Sequence, residues 1–581
     1  MKKIIISFLG SIALLLGIAS CDPVPTYYSQ IAPGTFFDTQ EKVYQRYARA
    51  FSQWAGAVQA GSRAAFFSYS TYSCDEMMMP NRNGDWYDGG VYVNFFWHRY
   101  TSTGSNSVWT NSASGVAMAW NAIEDIDRNV DFDGMGFPAG TRESIINQLS
   151  ALVAYFYLVA LDHFGGVPLY TSNLQDLQPR ASDQETFDFI EQLLKDAIQN
   201  LPQKQAGAQE FGYISQGAAA MMLAQLYFNA KPYIGREMYS ECETVCNAIL
   251  NGQYGSYSLA RRFQDIWGFN NKTCPEHIWV VPNENGFLQT NAGSPEYSTH
   301  YNTWMYFDNP DAMSWNGLCL IPSLDIEGKN YREETGNLGG PFKLGSPYAK
   351  YEDNDLRKKN YLYLGNGEYE GMFLHGLLTN RLTGVTAVAD GSREYVRDTP
   401  IPMVDQVAQL APDDPSSDRP RYPDGRREGI MYAEENSGVR LLKYSPIPNQ
   451  ADNAIRYNRN IPIFRLTEVQ YMLAECKYRS GNKAEAAALI NQVRARYFTA
   501  DSPDPNPVPA DFDEYRFLDE WLIEFIGEGR RRTDLIRWDK YTSESWWDKE
   551  ADGPGNEFKN RLPIPTSIIQ GNPLITQNPG Y

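Results

Sequence analysis

Hydrophobic positions recur every three to four residues over several stretches of this chain, and each stretch ends on a helix-stopping residue. Ser144 to His163 is apolar-rich and is closed by Gly165-Gly166-Val167-Pro168, which predicts a long helix with an abrupt stop. Over Gln184 to Asn200 the residues Phe187, Ile190, Leu193, Leu194 and Ala197 share one stripe, which ends at Leu201-Pro202. Gln216 to Ala230 is apolar nearly all round and so predicts a helix buried on several sides, stopped by Pro232 and followed by a helix from Met238 to Asn251. The period returns far downstream. Leu466, Val469, Leu473 and Cys476 lead to Gly481-Asn482, and Ala487, Ile490, Val493 and Tyr497 follow at once. The pairs Gln216–Asn251 and Phe464–Tyr497 each lie near the ~34-residue period of tetratricopeptide helix pairs, and more than 200 residues separate them. The pattern therefore predicts a mainly α fold, a tetratricopeptide-like helical-pair scaffold with a large loop-rich insertion containing short strands.

That insertion, roughly 255–460, is dense in Gly, Pro, Asn and aromatic residues and has few long periodic runs. His277-Ile278-Trp279-Val280-Val281 is its clearest strand, and Pro412 to Asp418 reads as an exposed turn. A second loop-rich block runs from Ser70 to about Asn111. Loops held by a rigid scaffold are where binding tends to reside.

The N-terminus changes the picture of location. Lys2 and Lys3 precede an apolar run from Ile4 to Leu16, too short to span a bilayer and shaped like a secretory signal. Leu16-Gly17-Ile18-Ala19-Ser20-Cys21 then offers small residues before a cysteine. This predicts cleavage after residue 20 and lipid on Cys21, with stable anchoring by more than one acyl chain. No other stretch reads as a transmembrane helix. One domain is expected over 21–581, made of an N-terminal helical part with binding loops (21–254), the insertion (255–460), and a C-terminal helical part with a terminal strap (461–581).

Charge and composition then exclude chemistries. A net charge of −19 argues against nucleic acid, whose phosphates demand a basic patch. Besides Cys21, six cysteines in so long a chain make no disulfide framework, and Cys242 and Cys246 read as buried thiols. Five histidines, none at ligand spacing from a Cys pair, call for no metal, and no P-loop, Gly-x-Ser-x-Gly or His-Glu-x-x-His motif calls for a cofactor. Glu520, Glu524 and Glu528, spaced four apart beside Arg531 and Arg532, read as a structural ion-pair network. The aromatic fraction of 14%, with 38 Tyr and 13 Trp, exceeds what a core alone needs and suits a surface that grips something partly polar.

A series of blocks in order carries a resemblance. Cys74-Asp75-Glu76, Arg82, Gly84-Asp85-Trp86-Tyr87-Asp88-Gly89-Gly90, His98-Arg99-Tyr100-Thr101 and Trp120-Asn121-Ala122-Ile123 come first. Leu161-Asp162-His163-Phe164-Gly165-Gly166-Val167-Pro168-Leu169, Phe464-Arg465-Leu466, Ala474-Glu475 and Ile490-Asn491-Gln492-Val493-Arg494 follow. Glu524 to Arg531, Asp534-Leu535-Ile536-Arg537-Trp538, Leu562-Pro563-Ile564-Pro565 and Gln577-Asn578-Pro579-Gly580-Tyr581 close the set. Together they resemble the SusD-like (RagB/SusD) outer-membrane nutrient-binding lipoproteins of Bacteroidetes. The resemblance implies a non-catalytic protein, lipid-anchored at the outer membrane and facing the exterior. It would capture an oligosaccharide and deliver it to a SusC-like, TonB-dependent transporter.

Pyranose rings offer C–H faces to Tyr and Trp and hydroxyls to Asn, Asp and Arg. The candidate ligand residues are accordingly Asp75, Arg82, Trp97 and Tyr100 from the N-terminal block, with Tyr297, Tyr301, Trp304 and Trp315 from the insertion. Two alternatives are weighed beside this reading. One is the same fold binding peptides; the other is a surface glycoside hydrolase using Asp75 and Glu76, a poor pair because neighbours on an extended strand point apart.

Overall fold

The computed structural model describes residues 36–58, 66–103, 106–269, 271–284, 297–309, 314–333, 338–391, 394–410, 426–444 and 459–581. The signal segment, Cys21 and the turn at 412–418 lie outside these residues.

Helices α1 (Gln40–Ala57), α2 (Asn106–Asn129) and α3 (Thr141–Phe164) pack against one another, and α3 leads on to α4 (Asp183–Ile198), α5 (Gln216–Phe228) and α6 (Tyr239–Leu250). Local chemistry sets their ends. Ser182 and Glu185 form a reciprocal capping box on α4, Ser215 caps α5, and Gly165 closes α3 at φ +77°. Gly166 has no alternative: a Cβ there would sit 2.1 Å from the Ala181 carbonyl oxygen. Helix α5 ends at Phe228, ahead of Pro232, which itself sits in the first turn of a new short helix, Ala230–Ile234, where a missing N–H costs little. Helix α3 is also long and apolar enough to cross a membrane, which corrects the expectation that no stretch beyond the signal is. It is the core helix of the scaffold, with residues such as Leu149, Leu152, Phe156 and Leu161 buried against α2 and α4.

The helical layer continues in space where the chain departs from it. Helix α7 (Leu466–Arg479) packs on α6, and α8 (Lys483–Arg494) packs on α7, so helix pairs more than 200 residues apart in sequence are neighbours. Strands β1 (His277–Val281) and β2 (Ile461–Arg465), one at each end of the insertion, pair antiparallel with Ile461 opposite Val281 and Arg465 opposite His277. Phe464 and Arg465 thus belong to a strand rather than to the start of a helix. Trp279 of β1 stacks on Trp54 of α1 at 4.1 Å, anchoring the ladder to the N-terminal helices. Between β1 and β2 the described chain forms loops, short helices and two- to four-strand-residue ladders, including Leu362–Gly365 with Glu368–Glu370. The loop block from Ser70 to Asn111 is more helical than expected: Phe66–Tyr72 and Val91–Phe96 are short helices, and α2 already starts at Asn106.

An ionic lattice sits where these parts converge. Helix α9 (Glu514–Phe525) carries Glu520 and Glu524, whereas Glu528 lies past its end in the turn before α10 (Arg531–Arg537). Glu524 receives Arg465 at 2.8 Å, Arg496 at 2.8 Å, Arg357 at 3.2 Å and the Tyr497 hydroxyl at 2.8 Å. Arg465 also reaches Glu276 and Glu528, and Glu520 receives Arg494. The acidic series is structural. The C-terminus docks in turn: Asn578 Nδ2 donates to the Phe164 and Leu562 carbonyls, and the Tyr581 hydroxyl to the Arg561 carbonyl. All six described cysteines are buried free thiols, Cys242 and Cys246 among them.

Breaking one partner of such a lattice strands the others, so Arg465→Met should lower unfolding free energy by about 3–5 kcal/mol in denaturant titration. The lattice also sets an acid limit. Burial alone would raise the Glu524 carboxyl, but Arg496, Arg465 and Arg357 outweigh it and hold it at about 2. A depressed folded value means the stabilisation is complete above the unfolded value near 4.3 and is lost as pH falls from there toward about 2. Melting temperature measured against pH should drop in that window, and less steeply in Glu524→Gln.

Candidate functional site

The two loop blocks meet on one face. In the N-terminal block Arg82 and Asp85 exchange backbone hydrogen bonds at 2.9 and 3.0 Å, closing a tight turn whose Gly84 N–H is held by Asn81 Oδ1 at 2.8 Å. The chain then runs through an unusual number of left-handed residues, Asn83, Gly84, Trp86, Asp88, Gly89 and Gly90. A tryptophan at φ +63° is strained by about 1–2 kcal/mol, and such strain clusters where a side chain must be aimed. What it aims is the indole. Trp86 Nε1 donates to the Trp315 carbonyl at 2.8 Å, and its ring lies over Gly317, where a Cβ would come within 2.8 Å of it.

The insertion supplies the rest of the platform. Tyr297 meets Trp315 edge to face at 4.6 Å and Trp86 at 5.7 Å, and the Tyr301 hydroxyl donates to Asp85 Oδ2 at 2.7 Å. Trp304 stands on the short helix Thr303–Phe307, which is fixed by Thr303 Oγ1 on the His300 carbonyl and by Asn302 Nδ2 on the Val388 carbonyl. The Trp304 side is open, with 38% of the residue exposed, and Tyr87 is 42% exposed. The Asp85 carboxylate lies beside these rings, and the exposed Asp88 follows in the same loop. This arrangement can stack on flat apolar faces and hydrogen-bond hydroxyl groups.

The other predicted residues fall elsewhere. Asp75 is wholly buried; its carboxylate is clasped by Arg531 at 2.6 and 2.8 Å and accepts the Gly345 N–H. Burial pushes Asp75 up, Arg531 outweighs it, and the carboxyl is held below its usual value. The expectation that Asp75 reaches a ligand is corrected: pairing with a helix, α10, is what it does. Its neighbour Glu76 is raised to about 8 by burial, so both members of the supposed hydrolytic pair are sealed in the scaffold. Arg82 is buried too, and corrected likewise. Its guanidinium spans the Gly317 and Glu434 carbonyls and works as a strut beneath the platform.

Trp97 and Tyr100 follow the C-terminal end of the helix Val91–Phe96, whereas Trp86 precedes its start. Trp97 Nε1 donates to the Asp548 carbonyl at 2.8 Å, and the Tyr100 hydroxyl bonds that of Tyr541. Tyr297, Tyr301 and Trp315 are thus gathered with Trp86 and Asp85, and Trp304 stands on the short helix that follows Tyr301. Trp86 and Asp85, with the neighbouring Tyr87, belong to a motif named from the sequence but not to the candidate ligand residues. The available signal was an aromatic pair set among glycines, a pattern that fixes ring direction through the backbone.

With the geometry in hand, comparisons with known proteins locate the chain. A family model described as the SusD family matches residues 275–581. The starch-binding protein SusD of Bacteroides thetaiotaomicron is 23% identical over 447 residues, covering 75% of this chain and 72% of that one. Among solved structures, surface glycan-binding protein A from Bacteroides fluxus superposes with a TM-score of 0.63 at 17% identity, over 94% of this chain and 100% of its own. Surface glycan-binding protein A from Bacteroides thetaiotaomicron, in complex with laminarihexaose, superposes with a TM-score of 0.61 at 17% identity, over 93% of this chain and 99% of its own.

Scaffold and platform should separate cleanly on mutation. Asp75→Ala leaves Arg531 buried without a partner and should cost about 3–5 kcal/mol. Trp304→Ala, at an open surface, should change stability by no more than about 0.5 kcal/mol. Chemical denaturation of the two variants tests the distinction.

Proposed function

The chain belongs to the SusD family, and on that premise we propose that it captures an oligosaccharide at the bacterial surface on the platform of Trp86, Tyr297, Tyr301, Trp304 and Trp315. The observation that carries this reading is the platform itself, a set of aimed rings beside the Asp85 carboxylate that opens to solvent on the Trp304 side. Sugars need that combination: ring faces stack on aromatic side chains while hydroxyls take up the polar groups between them. Support also comes from relatives whose names describe starch binding and glycan binding, one of them in complex with a glucose oligomer. Sealing of Asp75 and Glu76 supports binding without turnover.

The remainder of the reading concerns delivery. Lipid on Cys21 would confine the protein to the outer membrane, facing the exterior, and a SusC-like, TonB-dependent transporter on the same surface would receive the ligand. Family membership supports this, together with the small-residue run ahead of Cys21.

Affinity electrophoresis against plant, host and microbial glycans tests the binding step. At least one glycan should retard the wild-type protein, and Trp304→Ala combined with Trp315→Ala should abolish the retardation while leaving the melting transition nearly unchanged. Retardation that survives both changes would sink the platform assignment. For the delivery step, wild-type protein should enter the detergent phase and bring down a barrel on gentle purification, and Cys21→Ala should remain aqueous. Recovery of the variant in detergent would contradict the anchor.

A further inference from the structure

A second cleft opens on the side of the molecule that holds Trp97. Its volume is about 930 Å³, within the ~300–1,000 Å³ usual for small-ligand sites. One wall is a fixed stack. Trp97 is locked at its edge by Nε1 on the Asp548 carbonyl, and the Arg99 guanidinium lies over its ring at 4.3 Å. Arg99 is exposed and makes no ion pair among the described residues, so a planar fork of donors stacked on Trp97 faces the cleft.

The charges around it point the same way. Lys549 and Lys559 share a single carboxylate, Asp552, at 2.7 and 2.6 Å, and that carboxylate also takes His98 Nδ1 at 2.7 Å. Arg426 is matched by Asp548 at 3.0 Å. Among the described residues, four cationic side chains thus line the cleft against three carboxylates, Glu550 being the third. A basic excess in a chain of net charge −19 is a local reversal, the electrostatic mark of an anionic ligand.

The geometry points to a second saccharide site here, separate from the platform, that takes a sugar bearing an anionic substituent. Arg99 engages the anion in bidentate fashion, and the exposed part of the Trp97 stack borders the sugar ring. The substituent is a carboxylate or a sulfate ester, since both present the paired oxygens that a guanidinium reads. The saccharide class rests on the glycan-binding reading above; the anion preference rests on the cleft alone.

Isothermal titration of the full chain decides it, using galacturonic-acid oligomers, sulfated galactan oligomers and uncharged galactan oligomers at low salt. One acidic probe should bind, which identifies the substituent, and should weaken at least tenfold at high salt. Arg99→Glu, a change at an exposed residue, should reduce that binding at least tenfold, and Trp97→Ala should do the same. Trp304→Ala should leave it unaltered. The inference is overturned if neither acidic probe binds, if the uncharged oligomer binds as tightly, or if Arg99→Glu is without effect. Loss of acidic binding in Trp304→Ala would also overturn it, by assigning the ligand to the platform. Failure of the platform reading shows separately, as neutral-glycan binding indifferent to Trp304→Ala.

Discussion

Glu524 is the point on which the molecule's parts converge. Strand β2 sends it Arg465, the turn after α8 sends Arg496 and Tyr497, and the insertion sends Arg357. Each of those segments would otherwise end in a buried charge, which a protein interior does not tolerate alone. The requirement to close the lattice therefore fixes where the insertion leaves and rejoins the helical layer. Its exit and entry are the two strands β1 and β2, whose ends carry Glu276 and Arg465 into the same cluster. Packing of the helix pairs would tolerate small slips; directional, charge-assisted hydrogen bonds between four segments would not.

With the insertion's root fixed, its loops can vary without loosening the fold. A second buried pair repeats the device for the N-terminal block. Asp75 and Arg531 pin the loop after Phe66–Tyr72 to α10, just beyond the lattice. From there the chain runs only a few residues to Arg82, which braces Gly317 and Glu434 from below. Platform rings from two distant stretches are thus referenced to one scaffold through charged side chains that never meet solvent. The cost of a tryptophan at positive φ is carried by this rigidity: Trp86 can be held off its preferred backbone because both its carbonyl-bound indole and the turn beneath it are over-determined.

Much of the scaffold was legible because helices announce themselves by periodicity. The boundaries of α3, α4 and α5 fall within a few residues of the stretches read from Ser144, Gln184 and Gln216, since glycine stops and hydroxyl caps are local signals. The strand containing Phe464 was not legible: its partner lies nearly 200 residues away, and only pairing distinguishes it from the helix that follows. Site residues divide the same way. Trp304 shows itself as an aromatic in a segment poor in aliphatic residues. Asp75 misleads, because a carboxylate in a glycine- and asparagine-rich neighbourhood looks solvated until Arg531, more than 450 residues on, is placed beside it. Trp97 misleads differently. Either Trp97 or Tyr100 was expected to face out beside Asp75 and Arg82, but Trp97, past the end of a six-residue helix, is tied to the C-terminal segment through the Asp548 carbonyl.

That placement has a consequence for how the surface is organised. The helix Val91–Phe96 places Tyr92, Val93, Phe95 and Phe96 in the core, so the residues at its two ends are presented on separate parts of the surface. At its start the neighbours are carboxylates, Asp85 and Asp88, and the rings lie open. At its end the neighbours are Arg99, Lys549 and Lys559, and the Trp97 ring is already covered by a guanidinium. An uncharged ring and a charged substituent are therefore favoured at different ends of one short helix. The separation follows from burial of four apolar side chains between them, so the two surfaces are rigidly spaced, and changing one leaves the other's geometry in place.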